Sequence, residues 1–236
     1  LGIAMRLTLY DAAFAALAQV AGAEARRAIS YLTLFGGLAS TVFWPLSHVL
    51  SLSFGWHAAF LAYGLLHLVV CLPLHLWVLS DGAAEVASGA IPPDATGRLE
   101  GRERLTAMVL FAAAVAFNGA VFSAISAHVV PLFQGLGLGP AGAVTLAAMI
   151  GPAQVASRAG EIALGRRLKA VHLGLIAFGL LPLAIGVFAL GAFSWPAALV
   201  FALLYGASNG LVTIARGAVP LSLFGARGYG LMLGTI

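Results

Sequence analysis

The sequence predicts an all-α, polytopic bundle of transmembrane helices, and three observations predict it. Hydrophobic residues make up 61% of the 236 and charged residues only 8%, whereas soluble domains carry roughly 25% charged residues. The mean hydropathy is +1.03. The apolar residues also fall in runs close to the length of about 20 that a helix needs to cross a bilayer core. Twelve Lys and Arg with eight Asp and Glu cannot form the charged surface of a soluble protein of this length. The same figures exclude a disordered chain, which is poor in apolar residues and rich in charge.

Each span follows from an apolar run bounded by polar, Gly or Pro residues. The first covers residues 1 to about 21, the second about 29–52 and the third about 58–79. Residues 80–104 form the one long polar connection, with mixed charges and the pair Pro92-Pro93, and read as a linker. Beyond it, spans are expected at about 105–130, 141–163, 172–190 and 196–216, with an eighth starting near 229. The first run is already under way at Leu1 and the last has barely begun at Ile236, so the chain reads as the interior of a longer one.

Orientation follows from the basic residues. Arg26 and Arg27 lie between the first two spans, and Arg98, Arg102 and Arg104 precede the fourth. Arg158, Arg166, Arg167 and Lys169 lie at or after the end of the fifth, and Arg216 and Arg227 bracket the turn from seventh to eighth. The alternate turns, around 53–57, 131–140 and 191–195, hold no Lys or Arg. Cytoplasmic loops carry the excess of these residues, so the basic turns are placed inside. The net charge of +4 is therefore topological, not a stripe of the kind that binds nucleic acid.

Several motifs, in order along the chain, carry a resemblance. Phe54-Gly55-Trp56-His57-Ala58-Ala59-Phe60 is similar to a Gly-Trp-Arg-x-x-Phe turn, with His57 where Arg is more usual. Gly165-Arg166-Arg167 resembles the basic end of a loop motif, without the Asp-Arg pair that often precedes it. His128, Pro131-Leu132, Gly137-Leu138 and Ala143 are similar to a helix turn of monocarboxylate-like transporters. Together these resemble the major facilitator superfamily, and the resemblance covers most of the chain. It implies two pseudo-symmetric halves, truncated here at both ends, with the spans standing for the fourth to the start of the eleventh helix. Residues 1–79 would end the N-terminal half, 80–104 would be the cytoplasmic linker, and 105–236 would begin the C-terminal half. A short echo fits such repeats: Leu9-Tyr10-Asp11-Ala12-Ala13 beside Leu204-Tyr205-Gly206-Ala207-Ser208.

The resemblance implies a secondary transporter that moves a small organic solute, anionic in the monocarboxylate-like reading, by proton-coupled alternating access. The alternatives are a drug or metalloid efflux transporter and a non-transporting membrane sensor on a transporter fold. A membrane enzyme is not expected, because His-Glu-x-x-His and Cys clusters are absent from the sequence. No cofactor and no metal are expected: no His pair has ligand spacing, and no phosphate-loop motif occurs. The expected partners are the solute, protons and the lipid bilayer, with the protein a monomer in the plasma (inner) membrane.

Ionisable groups at membrane depth are costly and point to function or to a partner helix. Asp11 lies about ten residues, roughly 15 Å, from the inner end of its span, in place either to carry a proton or to bond a neighbouring helix. Arg6 and Tyr10 share a face suited to an oxyanion, unless Arg6 snorkels to the headgroups. Tyr205, Asn209 and Arg216, spaced by four and seven, line one face of the seventh span, and Asn118 lies mid-way along the fourth. These supply the candidate substrate or coupling residues Arg6, Tyr10, Asp11, Asn118, Tyr205 and Asn209. Gln154, Arg158 and Glu161 form a second stripe, in which Glu161 neutralises Arg158. With Arg216 they are the candidate cytoplasmic gate.

The remaining polar residues read as structural. His67 and His75 lie in the third span, His48 and His128 near outer ends, and Cys71 in an apolar run, where it acts as a small hydrophobe. The orientation is open to direct test. In a Cys71→Ser background, a cysteine placed at Ser194 should react with a membrane-impermeant maleimide from outside only, and one at Arg167 from inside only.

Overall fold

The structure, a computed structural model, describes residues 10–77, 99, 101–164, 167–191, 194–225, 229, 232 and 234. Arg6, Arg98, Arg166, Arg227, most of the linker and the side chain of His48 lie outside the described residues. Within them every element is helical. In chain order these are α1 (Tyr10–Val20), a 3-10 turn (Gly22–Glu24), α2 (Ala25–Leu66), a π turn (His67–Cys71), α3 (Gly101–Gln134), α4 (Pro140–Ala148), α5 (Ile150–Leu164), α6 (Ala170–Leu190) and α7 (Trp195–Phe224). Among the described residues, four stretches are long and apolar enough to cross a bilayer: Val49–Trp77, Gly101–Gln134, Ala170–Leu190 and Trp195–Phe224. The chain divides into two compact units, residues 35–92 and residues 1–34 with 93–236.

In the unit of residues 35–92, α2 is interrupted at Gly55, whose φ of 81° and ψ of 161° leave the helical region. Glycine adopts that conformation without the steric cost a Cβ imposes, so the turn expected around 53–57 falls there. Phe43 and Tyr63 meet edge to face at 5.9 Å, and the Ser47 and Tyr63 hydroxyls lie 2.6 Å apart, tying the two arms together. The π turn precedes Pro73, which has no N–H to give and whose ring displaces the Val69 carbonyl four residues back. His67 and His75 each place Nδ1 at 2.8 and 2.7 Å from the carbonyl four residues earlier, in keeping with the structural role expected of them.

In the other unit, α6 and α7 form the central pair. Ala177, Leu173, Ile214, Ala215 and Ala218 pack between them, and the Ser208 hydroxyl donates to the Ala177 carbonyl at 2.8 Å. A second cluster joins the ends of α3, α6 and α7 with α4 through Phe133, Phe188, Phe201 and Tyr205. A third joins α1, the start of α2 and the far end of α7 through Phe14, Ile29 and Phe224, with Tyr229.

Two boundaries differ from the sequence reading. The span expected over 141–163 is split at Met149, because the Pro152 ring clashes with the Ala148 carbonyl and offers that group no hydrogen bond. The span expected to end at 216 continues to Phe224. Arginine is a good helix former, so the charge at 216 does not end the helix.

α5 lies tightly against α7. A Cβ at Gly206 would strike the Ile150 carbonyl and Ala153, and one at Gly210 the Gln154 carbonyl and Ser157. Small residues allow such close approach in membranes. Overpacking typically costs about 1–3 kcal/mol, so Gly210→Leu should lower the unfolding temperature in detergent. Gly179→Leu, at a position with open space around it, should leave that temperature nearly unchanged.

Candidate functional site

Five charged residues come together around α1, the start of α2, α5 and α7: Asp11, Arg26, Arg158, Glu161 and Arg216. They arrive from four elements. α1 brings Asp11, α2 brings Arg26, Ser30 and Thr33, α5 brings Arg158 and Glu161, and α7 brings Thr213 and Arg216. Ser30, Thr33, Arg158 and Glu161 are all buried. Ser30 and Thr33 turn their hydroxyls back on helix carbonyls, Arg26 O and Ser30 O, at 3.1 and 2.9 Å. The Thr33 carbonyl is then shared with a neighbour.

That neighbour is Arg158. Its guanidinium is 3% exposed and donates to the Thr33 carbonyl at 2.9 Å, the Gly210 carbonyl at 3.4 Å and the Thr213 hydroxyl at 3.4 Å. Among the described residues no carboxylate lies within 4.0 Å of it. The expectation that Glu161 neutralises Arg158 is therefore corrected. Glu161 Oε1 instead accepts from Arg26 Nη2 at 3.0 Å. Arg26 Nη1 also donates to the Leu168 carbonyl, in the turn before α6. A one-turn spacing puts Arg158 and Glu161 on one face, but the long guanidinium arm reaches sideways to α2 and α7. Arg26 Nε and Glu161 Oε2 are buried and make no hydrogen bond among the described residues.

A second pair lies nearby: Arg216 Nη2 and Asp11 Oδ1 are 3.3 Å apart. Asp11 thus bonds a neighbouring helix, one of the two readings its position allowed. Tyr10 is half-buried and stacks on Phe14 at 5.4 Å. Asn209 is half-buried and its carbonyl accepts from Thr213 at 2.9 Å. Gln154 is half-buried, and its carbonyl accepts from Ser157 at 2.9 Å.

Tyr205 and Asn118 do not join this cluster through any described contact. Tyr205 is 1% exposed. Its hydroxyl donates to the Phe122 carbonyl and lies 2.8 Å from the Ser126 hydroxyl, and its ring stacks on Phe122 at 4.8 Å. Asn118 is half-buried on α3.

Sequence reasoning missed Arg26 and Thr33. Arg26 stands in a basic turn and was counted only toward topology; its partner is 135 residues away, and nothing local signals that. Thr33 acts through its backbone, which no residue type announces.

A helical, multi-pass membrane protein with paired charges buried between its helices is the class these observations define. The family model described as Major Facilitator Superfamily matches residues 1–236, and the chain belongs to that superfamily. It is a secondary-transporter family, not one of enzymes, so a small-molecule substrate and the bilayer are the partners. No curated protein and no solved structure matches the chain.

Removing one member of a buried ion pair leaves a charge unpaired and typically costs about 3–5 kcal/mol. Arg26→Gln should therefore lower stability in detergent, and Arg26→Met combined with Glu161→Met should recover most of the loss. A double variant no more stable than Arg26→Gln would show that the pair does not hold the helices together.

Proposed function

We propose that the protein moves a small organic anion by proton-coupled alternating access in the plasma membrane, with residues 1–79 and 105–236 as parts of the two moving halves. The observation that carries this reading is where the charge ties run. Asp11 to Arg216, Arg26 to Glu161 and Arg158 to the Thr33 carbonyl all join residues before the linker to residues after it. Contacts of this kind hold one side of a central path shut and must break for it to open, which is what a gate requires. The proposed gate residues Arg158, Glu161 and Arg216 each have a partner before the linker, with Gln154 one turn from Arg158 on α5.

The anionic substrate class is supported by Arg158. Its charge is surrounded by carbonyls and a hydroxyl instead of a carboxylate, and a planar guanidinium is suited to binding an oxyanion. When the Thr33 carbonyl departs, the Nη1 that held it turns toward the path. Asp11 supplies the coupling: protonation removes the charge that holds Arg216 and favours opening. Tyr10 and Asn209 lie along the same path, and Arg6, Asn118 and Tyr205 complete the proposed substrate and coupling set.

The test is transport by the intact protein in proteoliposomes. Asp11→Asn should abolish proton-coupled uptake and leave substrate binding measurable, because an amide carries no titrating proton yet keeps the side chain's shape. Arg158→Gln should weaken uptake of a monocarboxylate at least tenfold, about 1.4 kcal/mol. Unchanged proton flux in Asp11→Asn would remove the coupling role. Export of uncharged or cationic drugs without anion uptake would replace the substrate class.

A further inference from the structure

One glycine of α7 stands apart from the others by what surrounds it. A Cβ at Gly206 or Gly210 would collide with α5, and one at Gly174 of α6 would lie 3.0 Å from Val219 of α7. All of these contacts join elements that follow the linker. A Cβ at Gly217 would instead lie 3.0 and 3.1 Å from the Phe14 ring and 3.1 Å from Ile29 Cγ2, which precede it. Phe14 and Ile29 are 1% and 0% exposed, packed in the cluster that joins α1, the start of α2 and the far end of α7. Gly217 adjoins Arg216, which holds Asp11 at 3.3 Å. Its carbonyl accepts the Tyr229 hydroxyl at 2.7 Å, and Tyr229 packs in the same cluster as Phe14 and Ile29. Glycine inside a helix is less favourable than alanine, and the ring of Phe14 gives this one a reason.

We propose that Gly217 is a notch in α7 into which Phe14 and Ile29 seat when the cytoplasmic side closes, and that its missing side chain sets how far closure is favoured. The inference rests on the alternating-access reading above and adds a steric determinant to its charged ties. The asymmetry is physical. A side chain at position 217 meets Phe14 and Ile29 only while the two groups of helices are together, and nothing of theirs once they part. Bulk there raises the free energy of the closed state alone. Bulk at Gly174 or Gly210 strains helices that stay packed in both states, and shifts no equilibrium between them. Gly217 is thus a positioning residue, acting through Phe14 and Ile29 without touching solute.

The experiment reads opening by labelling. Ser30, 2% exposed on α2, is replaced by cysteine in a Cys71→Ser background of the intact protein. A membrane-impermeant maleimide is applied to the cytoplasmic face of inside-out vesicles. Gly217→Ala should raise the labelling rate about fivefold and Gly217→Leu tenfold or more, as expected for overpacking of one state by about 1–3 kcal/mol. Gly174→Ala, equally tight but between α6 and α7, should lower the unfolding temperature with labelling unchanged. In transport, Gly217→Ala should lower the maximal rate more than it changes the half-saturating concentration.

Equal labelling of Gly217→Ala and the Gly217 protein, or an equal rise in Gly174→Ala, would overturn the notch. Gly217→Ala adds one carbon, so the test does not depend on Gly217→Leu folding. Failure of the underlying reading looks different. Labelling at position 30 in the Gly217 protein would then be the same with and without a proton gradient, whatever stands at 217.

Discussion

A charge placed among apolar helices must find its partner on another helix, and much of this structure follows from that requirement. Within one helix, side chains reach only positions three or four residues away. The stripe of Arg158 and Glu161 offers such a spacing and does not use it. Arg158 spans to α2 and α7, and Glu161 takes Arg26 from the start of α2. The consequence is that polar contacts and helix packing are one problem: α1, α2, α5 and α7 must come close enough for these short bonds to form.

Glycine and alanine make that approach possible. α7 lies so near α5 that Gly206 and Gly210 leave no room for a Cβ, and this proximity brings the Gly210 carbonyl to the Arg158 guanidinium. Farther along the same helix, Gly217 admits Phe14 beside the Asp11–Arg216 pair. Steric fit and charge pairing therefore recur at the same levels of α7. In a bilayer no hydrophobic force drives helices together, so packing contacts and bonds of this kind carry a larger share of the association.

The other end of α7 is built differently. Tyr205, Phe201, Phe133 and Phe188 form an aromatic group, and the Tyr205 hydroxyl is engaged by Phe122 and Ser126. One helix thus has an aromatic, neutral end and a glycine-rich, charged end.

Composition and run length alone determined the membrane class, the approximate spans and the placing of basic turns, because bilayer thickness and the cost of charge act on sequence directly. The turn at Gly55 and the shared face of Arg158 and Glu161 on α5 were legible for the same reason: each is a local pattern. The extension of α7 past Arg216 was not, since a charge marks where an apolar run ends but not where its helix ends. The partners of Arg158 and Glu161, the part played by Arg26 and Thr33, and the notch at Gly217 were decided only by tertiary structure. Each arises from contacts between helices distant in sequence, and a residue's type says what it is able to bond but not which helix will come within reach.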